Sequence, residues 1–192
     1  RAELGWHRAE VLDRDAEPSE PPSPVVGFDA SPDHVVSDVR QPVPVRPAQP
    51  ARYDSEDRRE GTGHLCMGCE PLQGWRHVKG TARRTAQDFA HGMQDLVDVH
   101  GPRATVISVV LDNLNTHVFG ALYEAFSPEE ARRIATRLEF HSTPKHGSWS
   151  NRAEMEFSVL ARQCLDRRIA TSEELVRAIA AWERMRNAAR TR

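Results

Sequence analysis

The apolar and polar positions of this sequence change period several times along the chain. Short segments rich in valine, leucine and aromatic residues predict five β-strands, at residues 25–29, 64–71, 74–80, 106–112 and 138–143. Apolar residues that recur every three or four positions predict four helices, at residues 85–99, 127–137, 152–168 and 171–189. This order predicts an α/β fold with a mixed sheet, in which an antiparallel meander is extended by parallel strands and flanked by helices.

Three of the predicted helices begin at residues suited to capping. A hydroxyl side chain precedes an acidic residue by three positions in Thr85 with Asp88, Ser127 with Glu130, and Thr171 with Glu174. Pro128 also favours the first helical position after Ser127. The last helix carries an apolar stripe that predicts a buried face, formed by Leu175, Ile179, Trp182 and Met185.

Proline-rich segments suggest how the chain is divided. Residues 17–24 contain too much proline for the interior of a helix or sheet, so residues 1–24 are interpreted as a linker or the remnant of a preceding segment. Residues 25–170 are expected to form one domain, followed by a C-terminal amphipathic helix at residues 171–192. Residues 40–60 are rich in proline and then in charge, and they predict an irregular excursion. Because the chain begins with Arg1 rather than methionine, we expect a fragment.

Composition and net charge exclude few classes of protein. The 192 residues suit a single domain with a substantial core, and the net charge of −2 gives no global basic field. No apolar segment approaches the ~20 residues of a membrane span. The three cysteines are too few for a disulfide framework. These features favour a reducing, cytoplasmic environment.

Acidic residues follow two of the predicted strands. Asp29 and Asp112 would lie side by side at one sheet edge if their strands were parallel neighbours. Two such carboxylates raise one another's pKa unless a cation neutralises them, which predicts a hard divalent metal such as Mg²⁺. Glu154 adds a third carboxylate in the first turn of a helix that Asn151 can cap. Two aspartates and a glutamate around paired metal ions suit phosphodiester displacement, although a single strand-ending aspartate is commonly a turn former.

Longer strings resemble a known family. VLDNLNTH, LYEAF, TPKHGSW, SVLARQCLDRRI and EPLQGWRHVK are similar to segments of the DDE-type transposases of bacterial insertion sequences, in the branch related to the mariner elements. The resemblance runs from about Val11 to Arg168. It implies a ribonuclease-H-like catalytic domain at residues 25–170, in which Asp29, Asp112 and Glu154 are the catalytic metal ligands.

The same resemblance implies a reaction and its partners. A member of this family cleaves DNA at transposon ends and joins the freed 3′-hydroxyl to target DNA. It uses two Mg²⁺ or Mn²⁺ ions, binds double-stranded DNA and acts as a homodimer that holds two ends. The helix-turn-helix segments that precede the catalytic domain in the family are expected to lie outside this chain, so we expect an N-terminally truncated catalytic domain.

Further residues near these motifs are weaker candidates. Lys145 and His146 could contact DNA phosphate or form a solvated loop, and Trp149 could stack on a base or pack under the loop. His117 could contact phosphate or a water molecule, or serve as a turn or capping residue. The Cys66–Cys69 pair could suggest zinc, but one CxxC motif within a predicted strand favours simple packing.

Departures from the family pattern support an alternative function. Ala30 stands where an acidic residue is usual, and Ser150 and Arg152 flank Asn151 where apolar residues are usual. Gly68 and Gly80 occupy strand positions that favour larger side chains. The alternative is a catalytically inactive transposase remnant that at most binds DNA or a partner.

Overall fold

A mixed five-stranded sheet forms the centre of the structure. The structure is a computed structural model that describes residues 23–38, 49, 57–81, 83–112, 117–143 and 152–190. The side chains of residues 33–38 and 57–62 are not described. The strands are β1 (Val25–Asp38), β2 (Asp57–Glu70), β3 (Trp75–Thr81), β4 (Ile107–Leu111) and β5 (Leu138–Ser142). Their order across the sheet is β3-β2-β1-β4-β5.

The strands pair in two different ways. β1 with β2 and β2 with β3 are antiparallel, whereas β1 with β4 and β4 with β5 are parallel. This arrangement confirms the predicted mixed sheet, with a meander at one side and parallel strands at the other. The antiparallel strands β2 and β3 are joined by a short turn at residues 71–74, whereas helices separate the parallel strands β4 and β5, as each kind of pairing requires.

Helices cover both faces of the sheet. They are α1 (Ala86–Asp95), α2 (Gly120–Ala125), α3 (Pro128–Ala135), α4 (Arg152–Leu160) and α5 (Ser172–Ala188). α1 and α4 each continue into a π-helical turn, Leu96–His100 and Ala161–Leu165 respectively. One face packs against α1, α2 and α3 in a core that includes Phe28, Phe89 and Ile134. The other face packs against α4 and α5 in a core that includes Met67, Leu160 and Ile179.

The predicted caps are present at three helix starts. Thr85 and Asp88 form a complete capping box at α1. The side chains of Ser127 and Thr171 accept hydrogen bonds from the backbone N–H groups three residues later, at the starts of α3 and α5. Each cap satisfies a backbone donor that the first turn of a helix leaves without an intrahelical partner.

Side chains of α5 cover part of the free edge of β3. The Asn187 amide accepts a hydrogen bond from the Arg76 N–H at 2.9 Å and donates one to the Arg76 carbonyl at 2.8 Å. The Glu183 carboxylate accepts from the Val78 N–H at 2.9 Å. These contacts replace the neighbouring strand that an edge strand lacks, and they fix α5 to the sheet.

Several predicted boundaries were wrong. β1 does not end at Asp29 but continues to Asp38, paired with β2, which begins at Asp57 inside the predicted excursion. The short helix α2 was not predicted, and the helix predicted at residues 152–168 ends at Leu165. In the stripe of α5, Met185 is 57% exposed and therefore does not belong to the buried face.

Replacing Gly74 with alanine is expected to destabilise the fold by ~2 kcal/mol or more. Gly74 has a φ of +66°, and a Cβ there would lie 2.6 Å from the carbonyl carbon of Arg190, just beyond α5. Gly80→Ala is the matched control, because its Cβ would meet Leu65 and Val176 at an ordinary 3.9 Å. Chemical denaturation should show the control unchanged or stabilised by ~0.5–1 kcal/mol, and equal losses in both variants would contradict this close approach of α5.

Candidate active site

Asp29 and Asp112 meet where the parallel pairing of β1 with β4 ends. The last paired residues are Phe28 and Leu111, and each aspartate is the next residue along its strand or just after it. Adjacent strands are ~4.8 Å apart, so the sheet brings the two acidic residues to neighbouring positions. Asp29 is not the end of a strand, as the sequence suggested, but it does lie at the end of this pairing.

Burial and charge both act on the Asp29 carboxyl. Its environment raises its pKa from an ordinary 3.8 to about 6, mainly because burial disfavours the ionised form. The hydrogen bond from the Ala30 N–H to Asp29 Oδ1, 2.7 Å long, opposes this shift. The negative charges of Asp112 and Glu154 raise the pKa further. The three carboxylates are therefore close enough to interact electrostatically.

His117 lies behind Asp112 rather than on the surface. Its side chain is buried, and its ring stacks on Phe89 at 4.8 Å and meets the edge of Phe28 at 5.7 Å. His117 Nδ1 is 2.6 Å from Asp112 Oδ1, an ion-pair distance, although the two atoms are not aligned as a hydrogen bond. The contact positions the imidazole to orient the Asp112 carboxylate, and the burial leaves little of His117 for contact with DNA.

Glu154 lies in the first turn of α4, the helix that packs on β1 and β2. Its Oε2 atom is buried without a hydrogen-bond partner. Buried carboxylate oxygens normally have partners, because leaving them unsatisfied is costly. Hard divalent cations prefer this kind of oxygen, so Asp29, Asp112 and Glu154 fit as metal ligands by their chemistry.

The described part of the chain contains no group of three or more His, Cys, Asp or Glu side chains close enough to hold a metal ion. The three carboxylates thus interact without being assembled in coordination geometry, as expected of like charges that repel one another. Lys145, His146 and Trp149, and the predicted cap Asn151, lie outside the described residues.

The two cysteines of the CxxC motif do not form a metal site. Cys66 and Cys69 are both buried in β2 and form no disulfide, and an odd spacing places them on opposite faces of the strand. Burial raises the pKa of the Cys66 thiol to about 11, which disfavours the thiolate that binds metals.

Arg84 is a neighbour of the site that the sequence patterns did not single out. Its Nη1 donates to the Ala30 carbonyl at 3.2 Å, one residue beyond Asp29, while the side chain remains exposed. The one sequence feature that could have drawn attention to Arg84 is its position directly before Thr85, the cap of α1. The positive charge of Arg84 opposes the rise in the pKa of the Cys66 thiol, whose residue pairs with Ala30 across β1 and β2.

Comparison with known families identifies this chain. The DDE superfamily endonucleases match residues 24–176, which is most of the sequence. The chain belongs to this family. No curated protein matches the sequence of this DDE-family chain.

Solved structures of the Mos1 transposase share the fold. The Mos1 strand transfer complex has a TM-score of 0.64 at 13% identity, covering 94% of this chain and 52% of that one. The Mos1 mariner paired end complex with Mn has a TM-score of 0.62 at 14% identity, covering 95% of this chain and 54% of that one. The DDE-family chain thus spans about half the length of these relatives, and the predicted ribonuclease-H-like fold is confirmed. Within the described residues, no helix of the DDE-family chain is both long and apolar enough to span a membrane.

Proposed function

We propose that this chain is the catalytic domain of an insertion-sequence transposase, which cleaves DNA at transposon ends and transfers the freed strands to target DNA. The observation that carries the proposal is the neighbouring position of Asp29 and Asp112 at the end of the β1–β4 pairing, in a chain of the DDE endonuclease family. The raised pKa of Asp29, caused in part by Asp112 and Glu154, supports a shared role for the three carboxylates.

The proposed roles follow from the environment of each residue. Asp29, Asp112 and Glu154 would hold Mg²⁺ or Mn²⁺, most simply as two ions. Bound divalent ions supply the activation of the attacking oxygen and the stabilisation of the leaving oxygen in an in-line displacement at phosphorus. His117, packed between aromatic rings, keeps the Asp112 carboxylate in place.

The proposed partner is double-stranded DNA, at the transposon ends and at the target. The structural relatives are a strand transfer complex and a paired end complex, which supports a homodimer that holds two ends as the working form here. Lys145, His146 and Trp149, which precede Glu154 in the sequence, remain our proposed DNA contacts because of their sequence position and chemistry.

The inactive remnant is the second candidate, and one observation weakens the case for it. Side chains alternate along a strand, so Ala30 points to the face opposite that of Asp29 and is buried in the core against α1. An alanine at this position therefore removes no charge from the side of the sheet that Asp29 faces. Ser150 and Arg152, which flank Asn151 in the sequence, are the departures that favour the remnant, and metal binding tests between the two candidates.

Titration with Mg²⁺ or Mn²⁺ is expected to stabilise the chain at neutral pH. A ligand present at about 100 times its Kd adds ~2.7 kcal/mol to the free energy of unfolding, which corresponds to a rise in Tm of roughly 5–10 °C for a domain of this size. Thermal melts followed by circular dichroism, with and without millimolar metal, measure the effect.

Two substitutions make this titration specific. Glu154→Gln should remove the metal-induced rise in Tm, whereas Asp166→Asn, an exposed carboxylate beyond α4, should leave it unchanged. The absence of any rise in the unsubstituted chain would favour the inactive remnant. An equal rise in the Glu154→Gln variant would place the metal elsewhere.

A further inference from the structure

Three charged side chains are buried together between β3, α4 and α5. Arg76 of β3 is fully buried, and the side chains of Glu156 in α4 and Arg186 in α5 are only 12% and 11% exposed. Arg76 donates to Glu156 through Nε at 3.1 Å and through Nη2 at 3.3 Å. Arg186 Nη2 donates to the same carboxylate at 3.0 Å. We call these three residues the buried charge cluster.

Stability alone does not account for the buried charge cluster. Removing charges from water is costly, and apolar residues of similar volume often stabilise a fold as well or better. Such a cluster is better explained by the geometry that it imposes. The forked guanidinium of Arg76 binds both oxygens of Glu156, which fixes direction as well as distance.

The buried charge cluster is attached to a rigid frame. The backbone of Arg76 is bonded on its free edge to Asn187 of α5, and its Nη1 donates to the Gly74 carbonyl at 3.2 Å. The backbone of Arg76 and one nitrogen of its guanidinium are thus held in place apart from any contact with α4. Any rotation or sliding of α4 would break the paired bonds to Glu156.

Glu156 lies two residues after Glu154 in the same helix. Apart from Glu156, the buried positions of α4 are Ala153 and Leu160, whose apolar contacts have little directional preference. A helix that rotates by about 10° moves a side-chain end ~6 Å from its axis by ~1 Å. Displacements of that size are large for reacting groups, because ~1 Å of misplacement can lower a rate by ~10²-fold.

We infer that the buried charge cluster sets the rotation of α4 and thereby places the Glu154 carboxylate beside Asp29 and Asp112. Arg76, Glu156 and Arg186 are positioning residues on this account, which rests on the proposed metal-binding role of Glu154. Arg186 lies beyond residue 176, where the match to the DDE superfamily endonucleases ends. The C-terminal helix α5 therefore takes part in organising the site as well as in covering the sheet.

The test compares Mn²⁺ affinity with stability in one set of variants of the whole chain. Arg76→Met, Glu156→Leu and Arg186→Met are combined, so that no charge of the buried charge cluster remains unpaired. Arg133→Met is the matched control, since Arg133 pairs with Asp98 and Glu130 on the opposite face of the sheet. Isothermal titration with Mn²⁺ and thermal melts are measured on each protein, with Glu154→Gln as the reference for loss of the site.

We expect the triple variant to melt within a few degrees of the unsubstituted chain but to bind Mn²⁺ about tenfold more weakly, because a charge-free α4 can rotate. Arg133→Met should retain full affinity. Unchanged Mn²⁺ affinity in a folded triple variant would overturn the inference, because the buried charge cluster would then have no role beyond packing.

Arg76→Lys provides the decisive measurement if the triple variant does not fold. Lysine keeps the positive charge but cannot hold both carboxylate oxygens, so we expect a folded protein with Mn²⁺ affinity reduced about threefold or more. Full affinity in that variant would also overturn the inference. The proposed function fails in a different way, namely if the unsubstituted chain binds no Mn²⁺ or if Glu154→Gln binds it equally well.

Discussion

Replacing Asp112 with asparagine is expected to reduce metal-dependent DNA cleavage by at least about 10³-fold. The substitution keeps the shape of the side chain but removes a charge that the proposed metal site needs. Asp112 is partly exposed, and the amide oxygen of the new asparagine can face His117 Nδ1 as the carboxylate does. The fold should therefore be retained. The assay is nicking of plasmid DNA that carries the flanking sequences, by the whole protein encoded by the reading frame that contains this chain.

Two controls separate loss of chemistry from loss of structure. The Tm of the Asp112→Asn variant should stay within a few degrees of the unsubstituted protein in the absence of metal. Asp166→Asn, which removes an equal charge from an exposed position, should cleave normally. Cleavage retained by Asp112→Asn would be incompatible with the proposed role of this carboxylate.

The second large effect concerns pH. Mn²⁺ affinity is expected to fall roughly 15-fold between pH 6 and about 4.5, and the loss approaches about tenfold per pH unit at the lower end of this range. The reason is that Asp29, whose pKa burial raises to about 6, must lose its proton before it can bind a cation. Isothermal titration with Mn²⁺ across this range measures the change.

The same pKa shift affects the metal-free fold in the opposite direction. The folded state holds the Asp29 proton more tightly than the unfolded chain, so this group contributes most stability below its ordinary pKa of 3.8. That contribution is lost as the pH rises through about 6. Above this pH the ionised carboxylate destabilises the fold until a cation neutralises it.

Asp29→Asn is the variant that tests this coupling. Without metal at neutral pH it should be at least as stable as the unsubstituted chain, and metal should add nothing to its Tm. A metal-induced rise in Tm that is independent of pH in the unsubstituted chain would contradict the assignment to Asp29. The expected behaviour is that of a carboxylate retained for binding at the expense of stability.

The sequence predicted the elements whose signals are local. The caps at Thr85, Ser127 and Thr171 depend on residues three positions apart, and all three are present in the structure. The strand β4 was recognisable because it is apolar at all positions except Ser108 and is buried on both faces. The acidic residue that follows β4 was therefore a reliable marker of a sheet edge.

Elements that depend on distant partners were missed. The second half of β1 contains Pro32 and several polar residues, and it is a strand because it pairs with β2 beyond the point where β4 ends. The helix α2 is too short to give a period, and only Ala121 and Leu122 are buried in it. In both cases contacts with distant parts of the chain determined the secondary structure, which the local sequence pattern did not indicate.

The buried charge cluster could have been suspected from one feature. Glu156 falls between Ala153 and Leu160 at the spacing of the buried stripe of α4, where a charge is out of place unless it has a partner. The identity of that partner was not readable, because Arg76 is 80 residues away in a strand. A sequence pattern can indicate that a buried charge needs a partner, but only the fold shows which residue that partner is.

The hydrogen bonds from Asn187 and Glu183 to the free edge of β3 also indicate where the protein can be truncated. The family match ends at residue 176, but a protein shortened there would lose both side chains and leave the N–H groups of Arg76 and Val78 without partners. An open edge of that kind is a template for strand addition between molecules. We therefore expect a protein shortened at residue 176 to self-associate more readily than one that keeps the last turns of α5.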